Sequence, residues 1–135
     1  MDWSLELVVV PVSDVDRAKR FYVENAGFVE LIDTSVGDKF RVVQLTPPGS
    51  ACAIAIGTFA EQSAPGSLKG LHLCVPDIAA ARKELADRGT DVGDFFHFAD
   101  GVQTTGLHPE RSSYNTFFSF NDPDGNGWLV QEVVR

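Results

Sequence analysis

The sequence predicts an α+β fold, two tandem βαβββ modules forming curved mixed sheets around a cleft, and three observations predict it. The corner Val12-Ser13-Asp14-Val15 returns as Val75-Pro76-Asp77-Ile78, 63 residues later. The glycine that ends the helix after each corner returns too, Gly27 as Gly89, 62 residues later. The linker-like stretch Thr58 to Lys69, with Gln62-Ser63-Ala64-Pro65-Gly66-Ser67 inside it, falls near the middle of the chain. Spacings that agree within one residue across a strand, a corner and a helix indicate an internal duplication. The modules are placed at residues 3–60 and 68–135 of one domain spanning residues 1–135.

Each element follows from local pattern. Leu5 to Val12 is a β-branched run that reads as a mostly buried strand. Ser13 is the expected cap of the next helix, with Asp16 three residues on. Val15, Ala18, Phe21 or Tyr22, and Ala26 supply its apolar stripe, and Gly27 its left-handed stop. Strands are expected at Phe28 to Asp33, Phe40 to Thr46 and Ala51 to Gly57, with turns at Val36-Gly37-Asp38 and Pro47-Pro48-Gly49-Ser50. In the second half, Leu71 to Val75 is a strand and Ile78 to Arg88 an alanine-rich helix capped by Asp77. Further strands fit Asp91 to Phe98, Asn115 to Asn121 and Gly127 to Val134, with Ala99 to Tyr114 as a long loop, either a lid or a surface loop.

Composition narrows the function. The 135 residues are 44% hydrophobic and 22% charged, which is globular. No apolar run approaches the ~20 residues of a bilayer span, and the amino terminus lacks a basic region followed by an apolar stretch. A net charge of −8 opposes phosphate neutralisation and docking on anionic lipid, so neither nucleic acid nor a membrane is an expected partner. Cys52 and Cys74 are not spaced as a metal or redox pair, so a reduced, cytoplasmic compartment is expected. Cys74 is expected to be a buried, inert thiol.

The stretches VPVSDVDRAKRFYVENAGF, GLHLCVPDIAAARKELADRG and FNDPDGNGWLVQEV carry a resemblance over nearly the whole chain. It is to the vicinal-oxygen-chelate superfamily of glyoxalases, bleomycin-resistance proteins and extradiol dioxygenases. The resemblance implies a divalent metal held by His, Gln or Glu near the start of the first strand and in the last strand of each module. Those positions fall here on Leu7, Gly70, Ala53 and Leu129, none of which offers a ligating side chain. No metal or other cofactor is therefore expected, and the set left for a displaced metal is His72, His97 and Gln131. The resemblance also implies a homodimer.

Strand alternation puts His72 on the face of Gly70 and Gln131 on the face of Leu129, into the cleft, with Glu132 and Trp128 facing the helix layer. His72 is the candidate ligand contact or general acid/base, or a histidine bonded to a neighbour. Gln131 fits orientation of a ligand through its amide, or a cross-strand pairing. Arg41 and Gln44 lie on opposite faces of one strand, so one of them reaches the cleft. His97, in a strand whose register the pattern leaves open, is a rim or lid candidate with Arg111 and Tyr114, while Asp122 and Asp124 belong to a turn. The expected function is binding of a small organic molecule without the usual metal. The alternative is a metal-dependent or His72-assisted lyase, isomerase or dioxygenase.

Overall fold

A computed structural model of the chain describes residues 1–59 and 62–135. Ala60 and Glu61, inside the expected linker, lie outside the described residues. The fold is α+β as the sequence predicts, with a four-stranded and a five-stranded mixed sheet and a helix in each half. It divides into two compact units, residues 1–68 with 122–126, and residues 69–121 with 127–135.

In the first unit, β1 (Leu7–Val9) leads to α1 (Val15–Arg20), then to β2 (Val29–Val36), β3 (Phe40–Thr46) and β4 (Ala53–Gly57). The sheet order is β1-β4-β3-β2, with β1 parallel to β4 and the other pairs antiparallel. Val43, Leu45, Ile54 and Ile56 form its buried face beside Ala18 and Tyr22. The helix is capped by Asp14, whose carboxylate accepts from the Arg17 N–H at 3.1 Å, and not by Ser13. Ser13 is drawn away because its hydroxyl and N–H both donate to Asp124, at 2.5 and 3.1 Å. After Arg20 the helix widens into a π-turn over Phe21–Asn25, which ends before Gly27.

The five residues of the Asp122–Asn126 turn complete this unit. Asp122 is buried, and one of its oxygens accepts from the N–H groups of Asp124 and Asn126 at 3.0 and 2.9 Å. The other accepts from the Tyr22 hydroxyl and the Asn126 amide, each at 2.8 Å. The Asn126 amide also donates to the Pro11 carbonyl at 2.8 Å, and its oxygen accepts from the Leu68 N–H at 3.1 Å. Gly66 donates to the same Pro11 carbonyl and lies with φ +79 against the Asp124 carbonyl, where a Cβ would collide with that oxygen. Gly66→Ala therefore meets both a left-handed backbone and a backbone clash, and should lower unfolding free energy by about 2 kcal/mol. Equilibrium urea unfolding measures this, and a loss under ~0.5 kcal/mol would contradict the close approach.

The second unit runs β5 (Leu71–Val75), α2 (Ile78–Asp87), β6 (Phe96–Ala99), β7 (Val102–Thr105), β8 (Thr116–Asn121) and β9 (Gly127–Glu132), in the order β5-β9-β8-β6-β7. Asp77 caps α2 as expected, accepting from the Ala80 N–H at 3.2 Å. The strand β7 corrects the expected Ala99 to Tyr114 loop. Asp100 and Gly101, at φ 52 and φ 77, close a two-residue hairpin between Ala99 and Val102. Positive φ at both central residues is what such a hairpin requires. The Asp91 to Phe98 strand is also shorter than expected. Val92 makes only an isolated bridge to Phe120, and pairing resumes at Phe96.

Candidate functional site

The register of the second sheet sorts its side chains onto two faces. On one, Leu73, Val130 and Phe118 align, as do Trp128 and Phe120, whose rings stack at 6.0 Å. The α2 helix covers this face. Its Arg82 lies over Phe95, which meets Phe118 edge-on, and its first amide is held by Glu132. The other face carries no helix among the described residues. There His72 stands opposite Leu129, Cys74 opposite Gln131, Gln131 opposite Phe117, and Phe117 opposite Phe96.

This uncovered face carries polar groups beside an aromatic wall. Phe96 stacks on Phe117 at 5.3 Å and 17°, and Phe98 meets Phe117 edge-on at 5.9 Å. His72 is exposed, with Nδ1 2.7 Å from the Gly70 carbonyl. A carbonyl oxygen only accepts, so Nδ1 is the donor, and in the neutral ring Nε2 is left as an acceptor facing solvent. The Gln131 amide nitrogen lies 3.5 Å from the carbonyl of Tyr114, whose own N–H donates to the Glu132 carbonyl at 2.8 Å. Tyr114 is 55% exposed at φ 71, a conformation rare for a bulky residue. Cys74 is exposed, against the expectation of a buried thiol, because it shares the parity of His72 on this open face.

His97 stands elsewhere. It pairs with Thr116, so it points away from the face of Phe96, Phe98 and His72. It is buried, donates from Nδ1 to the Gly106 carbonyl at 2.8 Å and meets the His108 ring edge-on at 5.7 Å. The structure thus brings His72 and Gln131 onto one face and leaves His97 on the other.

In the first unit, Arg41 and Gln44 do occupy opposite faces of β3. Gln44 lies between Ile32 and Ala55, on the side that bears neither Ile54 nor Ile56. Arg41 points to the helix side and is spent on ion pairs, 2.6 Å to Asp16 and 2.9 Å to Asp33. The Arg41 guanidinium, with Lys19 beside it, holds the Asp33 carboxyl well below the usual carboxylate range. Asp16, Lys19, Glu30 and Arg41, which are ion-paired with one another or with Asp33, line a shallow charged hollow of about 250 Å³ together with Arg20 and Glu24.

The donor chemistry does not fit the divalent metal that the resemblance implies. Leu7 and Ala53 face each other across the β1–β4 pair, and Leu129 faces His72 across β5–β9. Leucine and alanine contribute no lone pair, and Gly70 has no side chain to offer. Among the described residues, no group of three or more His, Cys, Asp or Glu side chains could hold a metal ion. Among the described residues no helix is long and apolar enough to cross a membrane.

Sequence reasoning missed the aromatic wall. The run Phe95-Phe96-His97-Phe98 is apolar at almost every position, so its register stayed unfixed. The Asp100-Gly101 pair was the signal that fixes it, because the hairpin sets Phe96 opposite Thr105.

Comparison with known proteins agrees with this architecture. The family model of the Glyoxalase/Bleomycin resistance protein/Dioxygenase superfamily matches residues 4–130. The crystal structure of TnmS3, an antibiotic-binding protein from Streptomyces sp. CB03234, is 31% identical, with 98% of this chain and 97% of that chain covered and a TM-score of 0.75. A glyoxalase/bleomycin resistance protein from the same organism is 33% identical, with 95% and 99% covered and a TM-score of 0.71. The uncharacterized protein YetH of Bacillus subtilis (strain 168) is 25% identical over 129 residues, 93% of this chain and 94% of its own.

Proposed function

Because the chain belongs to the glyoxalase/bleomycin resistance protein/dioxygenase superfamily, we propose that it binds a small organic molecule on the uncovered face of its second sheet, without the usual metal. One observation carries this reading. His72, Cys74 and Gln131 share an open face with Phe96, Phe98 and Phe117, while the positions that would hold a metal are aliphatic or glycine. An apolar wall with a few polar groups is the usual makeup of a small-molecule site. TnmS3, an antibiotic-binding protein, supports the same class of ligand. In this reading Gln131 orients the ligand, His72 Nε2 accepts a hydrogen bond from it, and Tyr114 borders it. The chain acts as a cytoplasmic homodimer. The exposed Val29, Ile32, Val36 and Phe40 of the first sheet support a second copy as partner.

Thermal-shift screening against antibiotics and small aromatic or keto compounds tests the proposal. A binder at 100 times its Kd should stabilise the chain by about 2.7 kcal/mol. His72→Ala and Gln131→Ala should each weaken that binder about tenfold, or ~1.4 kcal/mol. A binder indifferent to both substitutions would place the site elsewhere.

The free Nε2 of His72 favours one second reading, in which that nitrogen takes a proton from the bound molecule during a lyase or isomerase reaction. Turnover abolished in a folded His72→Ala chain that still binds would support it, and unchanged turnover would exclude it.

A further inference from the structure

The geometry points to Arg111 as the positioning residue of the ligand face: by clamping Glu132 at the end of β9 it fixes the left-handed backbone of Tyr114, and with it the rim beside Cys74. This rests on the ligand face proposed above, but Arg111 acts through Glu132 and Tyr114 and touches no ligand.

The clamp is closely specified. The Arg111 guanidinium makes a two-pronged contact with Glu132, Nε to Oε1 at 2.7 Å and a terminal nitrogen to Oε2 at 2.6 Å. Glu132 is only 2% exposed, and its Oε2 also accepts the Ile78 N–H at 2.9 Å, so the anchor is itself pinned to the start of α2. Arg111 further lies 3.6 Å from Asp77, the residue that caps that helix.

From this anchor the chain runs to Tyr114 along the end of β9. Ser113 Oγ accepts from the Val134 N–H at 2.8 Å, and Tyr114 N–H donates to the Glu132 carbonyl at 2.8 Å. Both Arg111 and Tyr114 hold positive φ, 54 and 71. Non-glycine residues keep such a backbone only where surrounding contacts over-determine it. Beyond Tyr114, its carbonyl meets the Gln131 amide. Gln131 in turn stands directly opposite Cys74 across the β5–β9 pair. Tyr114, Gln131 and Cys74 are therefore one neighbourhood, and its shape is set from Arg111.

The two cysteines make the test selective. Cys74 reports on the rim, and Cys52, in the first unit, reports on general loosening. Alkylation of the full chain by iodoacetamide, followed by peptide mass mapping, gives both rates for Arg111→Lys, Tyr114→Gly and their combination. Lysine keeps the charge but cannot make the planar two-pronged contact. Glycine tolerates φ 71 but removes the ring. Arg111→Lys should change the rate at the already exposed Cys74 about threefold or more, because Tyr114 and Gln131 shift beside it, with the Cys52 rate unchanged. Tyr114→Gly should do the same, and the double variant should add nothing to it, since Arg111 acts through Tyr114. Additive effects, an unchanged Cys74 rate, or equal changes at both cysteines would overturn the assignment. Failure of the ligand reading would look different: no binder would be found, yet the coupling at Cys74 would persist.

Discussion

Replacing Asp122 by alanine should cost the chain about 3–5 kcal/mol of unfolding free energy. The carboxylate is buried and accepts from two backbone N–H groups, a phenol and a side-chain amide. Removing it takes the acceptor from four donors, three of these bonds buried and one part-buried, and the penalty of lost acceptors in a buried place exceeds the modest net value of the bonds themselves. Tyr22→Phe removes one donor together with its bond and should cost only about 1 kcal/mol. Asp122→Asn should fall between, since its amide nitrogen would confront the donating groups of Tyr22 and Asn126. Urea unfolding should rank the losses Asp122→Ala, then Asp122→Asn, then Tyr22→Phe. An Asp122→Ala chain within 1 kcal/mol of wild type would show that the network contributes little.

The second large effect belongs to Glu132. Arg111→Met leaves the Glu132 carboxylate, only 2% exposed, bonded to the Ile78 N–H without its counter-charge, and should cost about 3 kcal/mol. The figure sits at the low end for a broken buried pair because the Arg111 side chain is 39% exposed and solvent screens part of the attraction. Arg111 first, and the Ile78 N–H with it, hold the Glu132 carboxyl below its ordinary value of 4.5 against the opposing effect of burial. A carboxyl depressed on folding adds stability that is present above its unfolded value and is lost as pH falls through the folded one. Wild type and Glu132→Gln should thus differ most near pH 7 and converge as the pH drops below about 4. Unfolding curves from pH 7 to 3 that stay parallel would contradict the clamp.

The spacing of the two Asp corners and their glycine stops made the repeat legible, because local signals repeat at local distances. The strand Phe40–Thr46 and the cap at Asp77 were legible for the same reason. The parity of His72, Gln131, Trp128 and Glu132 followed from one strand pairing whose alternation is unbroken. What stayed hidden depends on partners far along the chain. Nothing near Ser13 announces that Asp124, 111 residues later, will take its hydroxyl and leave Asp14 to cap the helix. Nothing near Arg111 announces Glu132, which reads locally as one more charge at a strand end. The register of His97 stayed open because phenylalanines flank it on both sides, so no polar alternation distinguishes one face from the other.

The Asp122–Asn126 turn also sets the order in which the molecule can be finished. A nascent chain offers Tyr22, Pro11 and Ser13 early, but the Asp122–Asn126 groups that bond them come 100 or more positions later. At the ~5–20 residues per second of synthesis, the first sheet waits several seconds before that turn emerges. During that interval the exposed strand β2, with Val29, Leu31, Ile32 and Val36, has no completed unit behind it. Chaperone demand and misassembly should therefore concentrate in that window, and a stop codon placed between the halves should release an incomplete first half, not a smaller folded protein.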